Sequence, residues 1–413
     1  MRVVVEAYAC SPGRGSEPGN GWNWPLHLAH EGCDVTVLTI PRWRDSIEPV
    51  LAHTPVTMQV EYMPVSEWPL RLGWMIGSKL QYLLWLRTAA RRARDLHESL
   101  PFDVAHHVSY GSLAGGTRLW GLGIPLVLGP VGGGQVAPPS MRPYFGRQWP
   151  GEVIRSFVVK YVIPHSPFTR RACRAADLVL TSNEQTAELA RRLGARNVRI
   201  SAPDSGLPVG YGTDRVPNRV VANGMRLVWV GRIFAIKALP LALDALELVD
   251  DPAVTLDVLG GGTGADQVER WIGERGLADR VRYHGAVDWE RVRDFYRSSD
   301  VMLFTSVRDS CAAQLLEAMA FGLPIIALDH QGTSSAVPDT AGIKVPVTDP
   351  PGTAQALADA IRALAEDPIE RRAMGEAALV HAGDFAWPVI AARMSREYAA
   401  LIASHQGGQS DVS

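Results

Sequence analysis

Apolar and polar positions along this chain fall into two successive series of short apolar runs separated by longer stretches. The first series has runs at Val3–Tyr8, Asp34–Thr39, Phe102–Tyr110, Ile124–Leu128 and Ala176–Ser182. The second restarts at Arg226–Val230 and continues through Leu256–Leu259, Val281–Gly285, Val301–Phe304, Leu323–Leu328 and Ile343–Pro346. Runs this short and this continuously apolar predict strands buried on both faces, and helical stretches between them predict parallel sheets. Between the two series, Ala202 to Met225 is dense in Pro and Gly and reads as a domain boundary. The expected fold is α/β with two Rossmann-like domains. Residues 1–205 form the first, 206–225 a linker and 226–385 the second; a final helix spans 386–403, and 404–413 is a disordered tail.

Helix signals fill the gaps. A glycine-rich loop from Ala9 to Gly21 leads into a helix through Trp24, Leu26, Leu28 and Ala29. Leu72–His97 predicts a long helix in which Trp74, Met75, Leu80, Leu83, Leu84 and Trp85 precede Arg87, Arg91, Arg92 and Arg94. Two readings fit it: a core helix whose arginines complement its C-terminal dipole, which we favour, or an amphipathic helix lying on a membrane. Pro138–Thr169 is rich in Pro, aromatics and Arg without a clean period, and predicts an acceptor-side lid or surface excursion.

Composition narrows the class. Of 413 residues, 46% are hydrophobic and 20% charged, which suits a core-forming protein. The four cysteines make no C-x-x-C pair, so a zinc ribbon or redox dithiol is not expected. The chain opens directly on a strand and has no run of 18 apolar residues, so a cytoplasmic location is expected. The net charge of −2 hides an asymmetry: residues 1–220 hold 24 basic and 17 acidic residues, the rest 17 and 26. A basic first half suits an anionic partner, such as a membrane surface or a phosphorylated acceptor. Nucleic acid is not expected, because no recognisable binding module interleaves these cations with aromatics.

The densest chemistry lies in Phe304–Pro324, F-T-S-V-R-D-S-C-A-A-Q-L-L-E-A-M-A-F-G-L-P. A buried strand runs through a short turn into a helix beginning near Ser310 to Ala312, with Leu315, Leu316, Met319 and Ala320 on one face. Backbone amides around Ser310, Ala312, Ala313 and Gln314 would suit a phosphate at the helix start. Asp309 and Glu317 flank that turn and could accept hydrogen bonds from sugar hydroxyls. The plainer alternative is an ordinary strand–helix unit with Asp309 as its cap. Upstream, Gly231-Arg232-x-x-x-x-Lys237 follows a strand, and two cations at that spacing can converge on a diphosphate. His106 and His107 end another strand, where a core role competes with a reactive one; His107 is the preferred candidate.

These segments resemble glycosyltransferase family 4, enzymes of GT-B fold. The family's motif of two acids separated by seven residues, then Ala-Met-Ala-x-Gly-x-Pro, reads here as Asp309, Glu317 and Ala318–Pro324. The first acid is usually Glu rather than Asp, and Ala312 stands where Gly is usual. The resemblance implies that Asp309 holds donor-sugar hydroxyls, Glu317 the nucleotide ribose, and Arg232 with Lys237 the diphosphate. Gly-Ser-Glu-Pro-Gly-x-Gly-Trp and Gly-Pro-Val-Gly-Gly-Gly resemble loops of one subset, implying ligand approach at Gly19, Gly21, Gly133 and Gly134. In the family the loop after the strand ending near His284 covers the nucleobase, and the last helix crosses back to the first domain. The implied activity is retaining transfer from a UDP or GDP sugar to a hydroxyl acceptor, lipid-linked or phosphorylated among the options. It needs no cofactor, and no D-x-D metal triplet occurs. Two alternatives remain: a non-catalytic nucleotide-sugar-binding subunit and a nucleotide-sugar epimerase.

Overall fold

The computed structural model describes residues 1–213, 224–310 and 312–410. Part of the expected linker (214–223), Cys311 and the end of the expected tail (411–413) therefore lie outside the described residues, as do the side chains of Trp74 and Met75. The chain divides into two units. One takes residues 1–134, 159–206 and 387–413; the other takes 135–158 and 207–386.

The first unit is built on seven parallel strands: β1 (Arg2–Ala7), β2 (Asp34–Thr39), β3 (Met58–Tyr62), β4 (Val104–Ser109), β5 (Leu126–Val131), β6 (Leu178–Thr181) and β7 (Val198–Ile200). Their order is β3-β2-β1-β4-β5-β6-β7, so the connection reverses direction between β1 and β4. Doubly wound sheets bind ligands at such a switch point, outside the carboxyl ends of the strands. The central strands β4, β5 and β6 are buried throughout, which their unbroken apolar runs required. Sequence reading missed β3 and β7. Both are edge strands with half-exposed residues, so neither shows a clean period.

The helix Trp74–Ser99 buries Tyr82, Trp85, Leu86, Ala89, Ala90 and Ala93, consistent with the core reading of that stretch. The last helix, Trp387–Ser410, also belongs to the first unit: Trp387, Met394 and Tyr398 enter the same core as Val3, Val5 and Trp24. It continues well past residue 403, so the tail expected to be disordered is helical as far as Ser410.

The second unit has six parallel strands: β8 (Met225–Val230), β9 (Val254–Leu259), β10 (Val281–Tyr283), β11 (Val301–Phe304), β12 (Ile325–Leu328) and β13 (Gly342–Val345). Their order, β10-β9-β8-β11-β12-β13, puts the switch point between β8 and β11. Residues 135–158, expected in the first domain, belong here instead. Ala137, Met141 and Phe145 pack into this unit's core with Leu239 and Leu243, and Tyr144 donates to Asp244 at 2.8 Å. Among the described residues no helix is long and apolar enough to cross a membrane.

Candidate active site

The loops that follow β8 and β11 are stitched together. Gly231 N–H donates to Leu259 O and Ile233 N–H to Gly261 O, closing the β8 loop on the β9 loop. A Cβ on Gly260, whose φ is +148°, would lie 1.8 Å from Gly231 O, so only glycine permits this approach. On the other side, Val307 N–H and Ser306 Oγ donate to Ile236 O, and Thr305 Oγ donates to Lys237 O and Ala238 O. These bonds fix the turn Ala235–Lys237 against the segment leading to Asp309. Lys237 Nζ donates to Asp309 Oδ2, joining two residues 72 positions apart at the switch point. Asp309 N–H in turn donates to Gln331 Oε1 at 2.9 Å, and Gln331 Nε2 to Val136 O at 2.7 Å. Arg232 is exposed, its guanidinium carbon 4.8 Å from the Phe234 ring centroid.

The helix after β11 spans Ala313–Ala320. Ala312 precedes it in extended conformation, and no side chain caps its first turn. The amides of Ala313 and Gln314 thus stand at an uncapped helix start, with Ser310 and the buried Ala312 in the turn before it. One turn on, Glu317 accepts from Trp289 Nε1 at 3.0 Å and from Tyr296 OH at 3.3 Å. Burial raises its carboxyl above the usual range, and the two hydrogen bonds oppose the shift. Tyr211 stacks on Trp289 with ring centroids 5.5 Å apart, and the Arg293 guanidinium lies 5.4 Å from the Tyr211 centroid. Sequence reading overlooked Tyr211, Trp289 and Tyr296. Trp289 and Tyr296 sit seven apart in one helix, a spacing that puts both on one face, and that was the available signal. His284 is held by Asp257, with Nε2 to Oδ1 at 2.7 Å, and its ring lies against Phe295.

In the first unit the expected residues lie deeper than the sequence suggested. His107 and His106 were candidates for an open strand end; both are without exposed surface. His107 Nδ1 donates to Glu6 Oε2 at 2.6 Å, which also accepts from Thr117 Oγ at 2.7 Å. Its Nε2 faces Tyr110 O at 3.2 Å and Tyr82 OH at 3.4 Å. His106 Nε2 donates to Gly129 O and Nδ1 accepts from Tyr398 OH, each at 2.5 Å. Burial lowers the His106 pKa to about 4, so the ring is neutral. The reason is topological: β4 is a central strand covered on both faces, and its side chains meet neighbouring elements on either side.

The glycines show the same inward use. Gly19 and Gly21 were expected in a loop but lie in the helix Ser16–His30. A Cβ on Gly19 would sit 2.1 Å from Arg14 O, and one on Gly21 1.8 Å from Ala9 O. A Cβ on Gly134 would sit 2.6 Å from Thr186 Cα, whereas Gly133, at φ +108°, has its nearest such contact at 3.4 Å. A further carboxylate of this edge is one the sequence did not single out: both oxygens of Glu17 accept from Gly111 N–H, at 3.1 and 3.0 Å, and burial raises its carboxyl above the usual range. Among the described residues, no group of three or more His, Cys, Asp or Glu converges as a metal site requires.

Comparison with known proteins gives two successive family matches along the chain. Residues 213–380 match the family of glycosyl transferases group 1, and residues 26–202 match the glycosyl transferase 4-like domain. A D-inositol 3-phosphate glycosyltransferase of Catenulispora acidiphila is 31% identical over 55% of this chain and 57% of its own length. The counterpart from Streptomyces avermitilis is 27% identical over 56% and 53%. The chain thus spans little more than half the length of these curated relatives. Among solved structures, sucrose-phosphate synthase of Thermosynechococcus elongatus superposes with a TM-score of 0.69 at 21% identity, over 98% of this chain and 100% of that one. Anabaena HepE, solved with UDP and glucose, gives 0.60 at 16%, over 97% and 100%. At such identities these two speak to fold. Two consecutive family matches, one to each doubly wound unit, make this chain a member of glycosyltransferase family 4, with the GT-B fold.

Proposed function

We propose that this chain transfers a hexosyl group from a nucleoside diphosphate sugar to a hydroxyl acceptor, with retention at the anomeric carbon. The observation that carries the reading is the Lys237–Asp309 pair at the β8/β11 switch point, with Glu317 on the helix that follows. When the bond from the anomeric carbon to the β-phosphate oxygen breaks, the electron pair leaves with the diphosphate. Arg232, Lys237 and the amides of Ala313 and Gln314 meet that charge as preorganised donors. Asp309 holds Lys237 in place and offers its second oxygen to a sugar hydroxyl, while Glu317 takes the ribose. Two cationic side chains then serve where other transferases use a metal, so a chelator leaves turnover unchanged.

HepE is described with UDP and with UDP-glucose, which makes UDP sugars the first donors to test. The relatives' names make D-inositol 3-phosphate the first acceptor, a phosphorylated polyol that suits the basic first half of the chain. The purified protein is incubated with UDP-glucose, UDP-N-acetylglucosamine or GDP-mannose, with and without that acceptor. Products are read by mass spectrometry and their anomeric configuration by NMR. We expect slow donor hydrolysis without acceptor, and a fall of about 10²–10³ in kcat for Lys237→Ala and for Arg232→Ala. Full kcat in either variant, or no donor bound or consumed across the set, would overturn the assignment.

A further inference from the structure

The segment from Lys160 to Arg174 takes no part in the chemistry above. Residues 159–176 contain Lys160, Arg170, Arg171 and Arg174 and not one Asp or Glu. Within that basic stretch three large apolar side chains stand in solvent: Tyr161 at 60%, Val162 at 50% and Phe168 at 47% exposure. Tyr161 and Val162 end the helical run Val158–Val162, and Phe168 lies in the first turn of the helix Pro167–Ala175. That helix is firmly started, with Pro167 in its first turn and Ser166 Oγ accepting from Thr169 N–H. The exposed ring is therefore held outward by a well-formed element.

Cations surround it. The Arg118 guanidinium carbon is 4.4 Å from the Phe168 ring centroid, and that of Arg171 is 3.6 Å from Trp120. Arg170, Arg171 and Arg174 line a shallow cavity of about 510 Å³ with Pro167 and Ala175. None of Arg118, Arg170, Arg171 and Arg174 is ion-paired among the described residues, and Arg170 Nε is buried without a hydrogen-bond acceptor. Single exposed apolar residues are ordinary, but three in eight positions beside unpaired arginines are not. Guanidinium groups bind phosphate in a bidentate fork, and Tyr and Phe side chains settle at the boundary between headgroups and acyl chains.

We propose that this face of the first unit docks on a bilayer rich in anionic phospholipid. Tyr161, Val162 and Phe168 enter the headgroup layer, and Arg170, Arg171 and Arg174 meet lipid phosphates. The inference is independent of the donor assignment, because it needs no turnover to be tested.

The full chain is sedimented with vesicles of phosphatidylcholine alone and of phosphatidylcholine mixed with phosphatidylglycerol. Binding is expected on the mixed vesicles, weakening with added salt. Arg171→Ala with Arg174→Ala should weaken partition roughly fivefold per charge removed. Tyr161→Ser with Phe168→Ser should weaken it on the order of tenfold or more, at low and high salt alike. Unchanged thermal melting shows that the variants remain folded. The proposal is overturned if the wild type stays in solution with mixed vesicles at low salt, or if the arginine variant binds them as wild type does. It is equally overturned if the apolar variant keeps full binding while inorganic polyphosphate or an oligonucleotide competes it away, for then the face is a site for a soluble polyanion.

Discussion

Glu317 is half-buried and accepts two hydrogen bonds, and desolvation and those bonds act on its proton in opposite directions. Desolvation raises its carboxyl above the ordinary range; Trp289 and Tyr296 pull it back. Between the unfolded and folded values the native state holds more protons than the unfolded chain, so this group's contribution to stability falls as pH rises through that window. On the ribose-binding role proposed for Glu317, ligand binding runs the other way, because a ribose diol would donate to the ionised carboxylate. Nucleotide affinity should therefore drop on acidification at a pH above the usual carboxylate range. Glu317→Gln should bind UDP about 10–100-fold more weakly at neutral pH, as for loss of a charged hydrogen-bond acceptor, and lose the part of the acid dependence that wild type owes to this group. Calorimetric titration of both proteins with UDP across pH tests the point.

His106 offers a second pH handle with the opposite sign. Its pKa falls from 6.5 to about 4 on folding, so the native state binds fewer protons between those values. The stability it contributes is complete above about pH 6.5 and is lost as pH falls toward 4. The loss is on the order of 2–3 kcal/mol, and half-buried His27, also lowered to about 4, adds in the same direction. Tyr398→Phe removes the hydroxyl that donates to His106 Nδ1 and should cost about 1–3 kcal/mol at neutral pH. Urea melts of the first unit from neutral to acid pH measure both effects.

At the scale of elements, the helix Ser16–His30 shows how glycine can serve packing where a motif suggests ligand contact. Its second turn presses against the segment 9–14 so closely that a methyl group on Gly21 would overlap Ala9 O at 1.8 Å and approach Ser109 Oγ at 3.2 Å. Ser109 Oγ itself joins the strands, accepting from Ala9 N–H and donating to Ala9 O. Gly21→Ala must push helix, loop and β4 apart. We expect it to destabilise the first unit by roughly 2–4 kcal/mol, above the usual range for overpacking because the obstacle is backbone. Gly407→Ala is the matched control in the same unit, since nothing lies within 4 Å of its added methyl. Helix propensity favours it by up to about 1 kcal/mol. Thermal melting of the two variants should move in opposite directions; equal shifts would show that the close approach at Gly21 relaxes at no cost.

At the scale of the molecule, alternation of buried strands with helices was enough to read two doubly wound units, because strands covered on both faces leave continuous apolar runs. That Lys237 and Asp309 lie close together was legible for the same reason: they follow the neighbouring strands β8 and β11, and parallel topology brings such loops together. Three things were not legible. His106 and His107 looked accessible because one sequence does not reveal what covers a strand's end. Residues 135–158 contribute Ala137, Met141 and Phe145 to the second unit's core through short helical turns that carry no period. The aromatic partners of Glu317 come from the helix before β11, outside the motif.

The last helix provides the decisive test of that architecture. Trp387 packs edge-on to Trp24 with centroids 5.6 Å apart and stacks on His27 at 6.0 Å. Tyr398 seals His106, and Glu397 pairs with Arg199 of β7. A helix from the chain's end thus completes the core of a unit whose first strand starts at Arg2, while residues 135–158 and 207–386 form the second unit's core without it. Trp387→Ala leaves a cavity among buried aromatics and should cost about 3–5 kcal/mol. Because two units need not melt together, the loss should appear in one transition only. UDP added to this variant should still raise the melting temperature of the second transition, since Glu317, Lys237 and Arg232 belong to the other unit. If both transitions fell together, or if the nucleotide ceased to protect either, the helix would be supporting the second unit as well, and its assignment to the first unit's core would have to be given up.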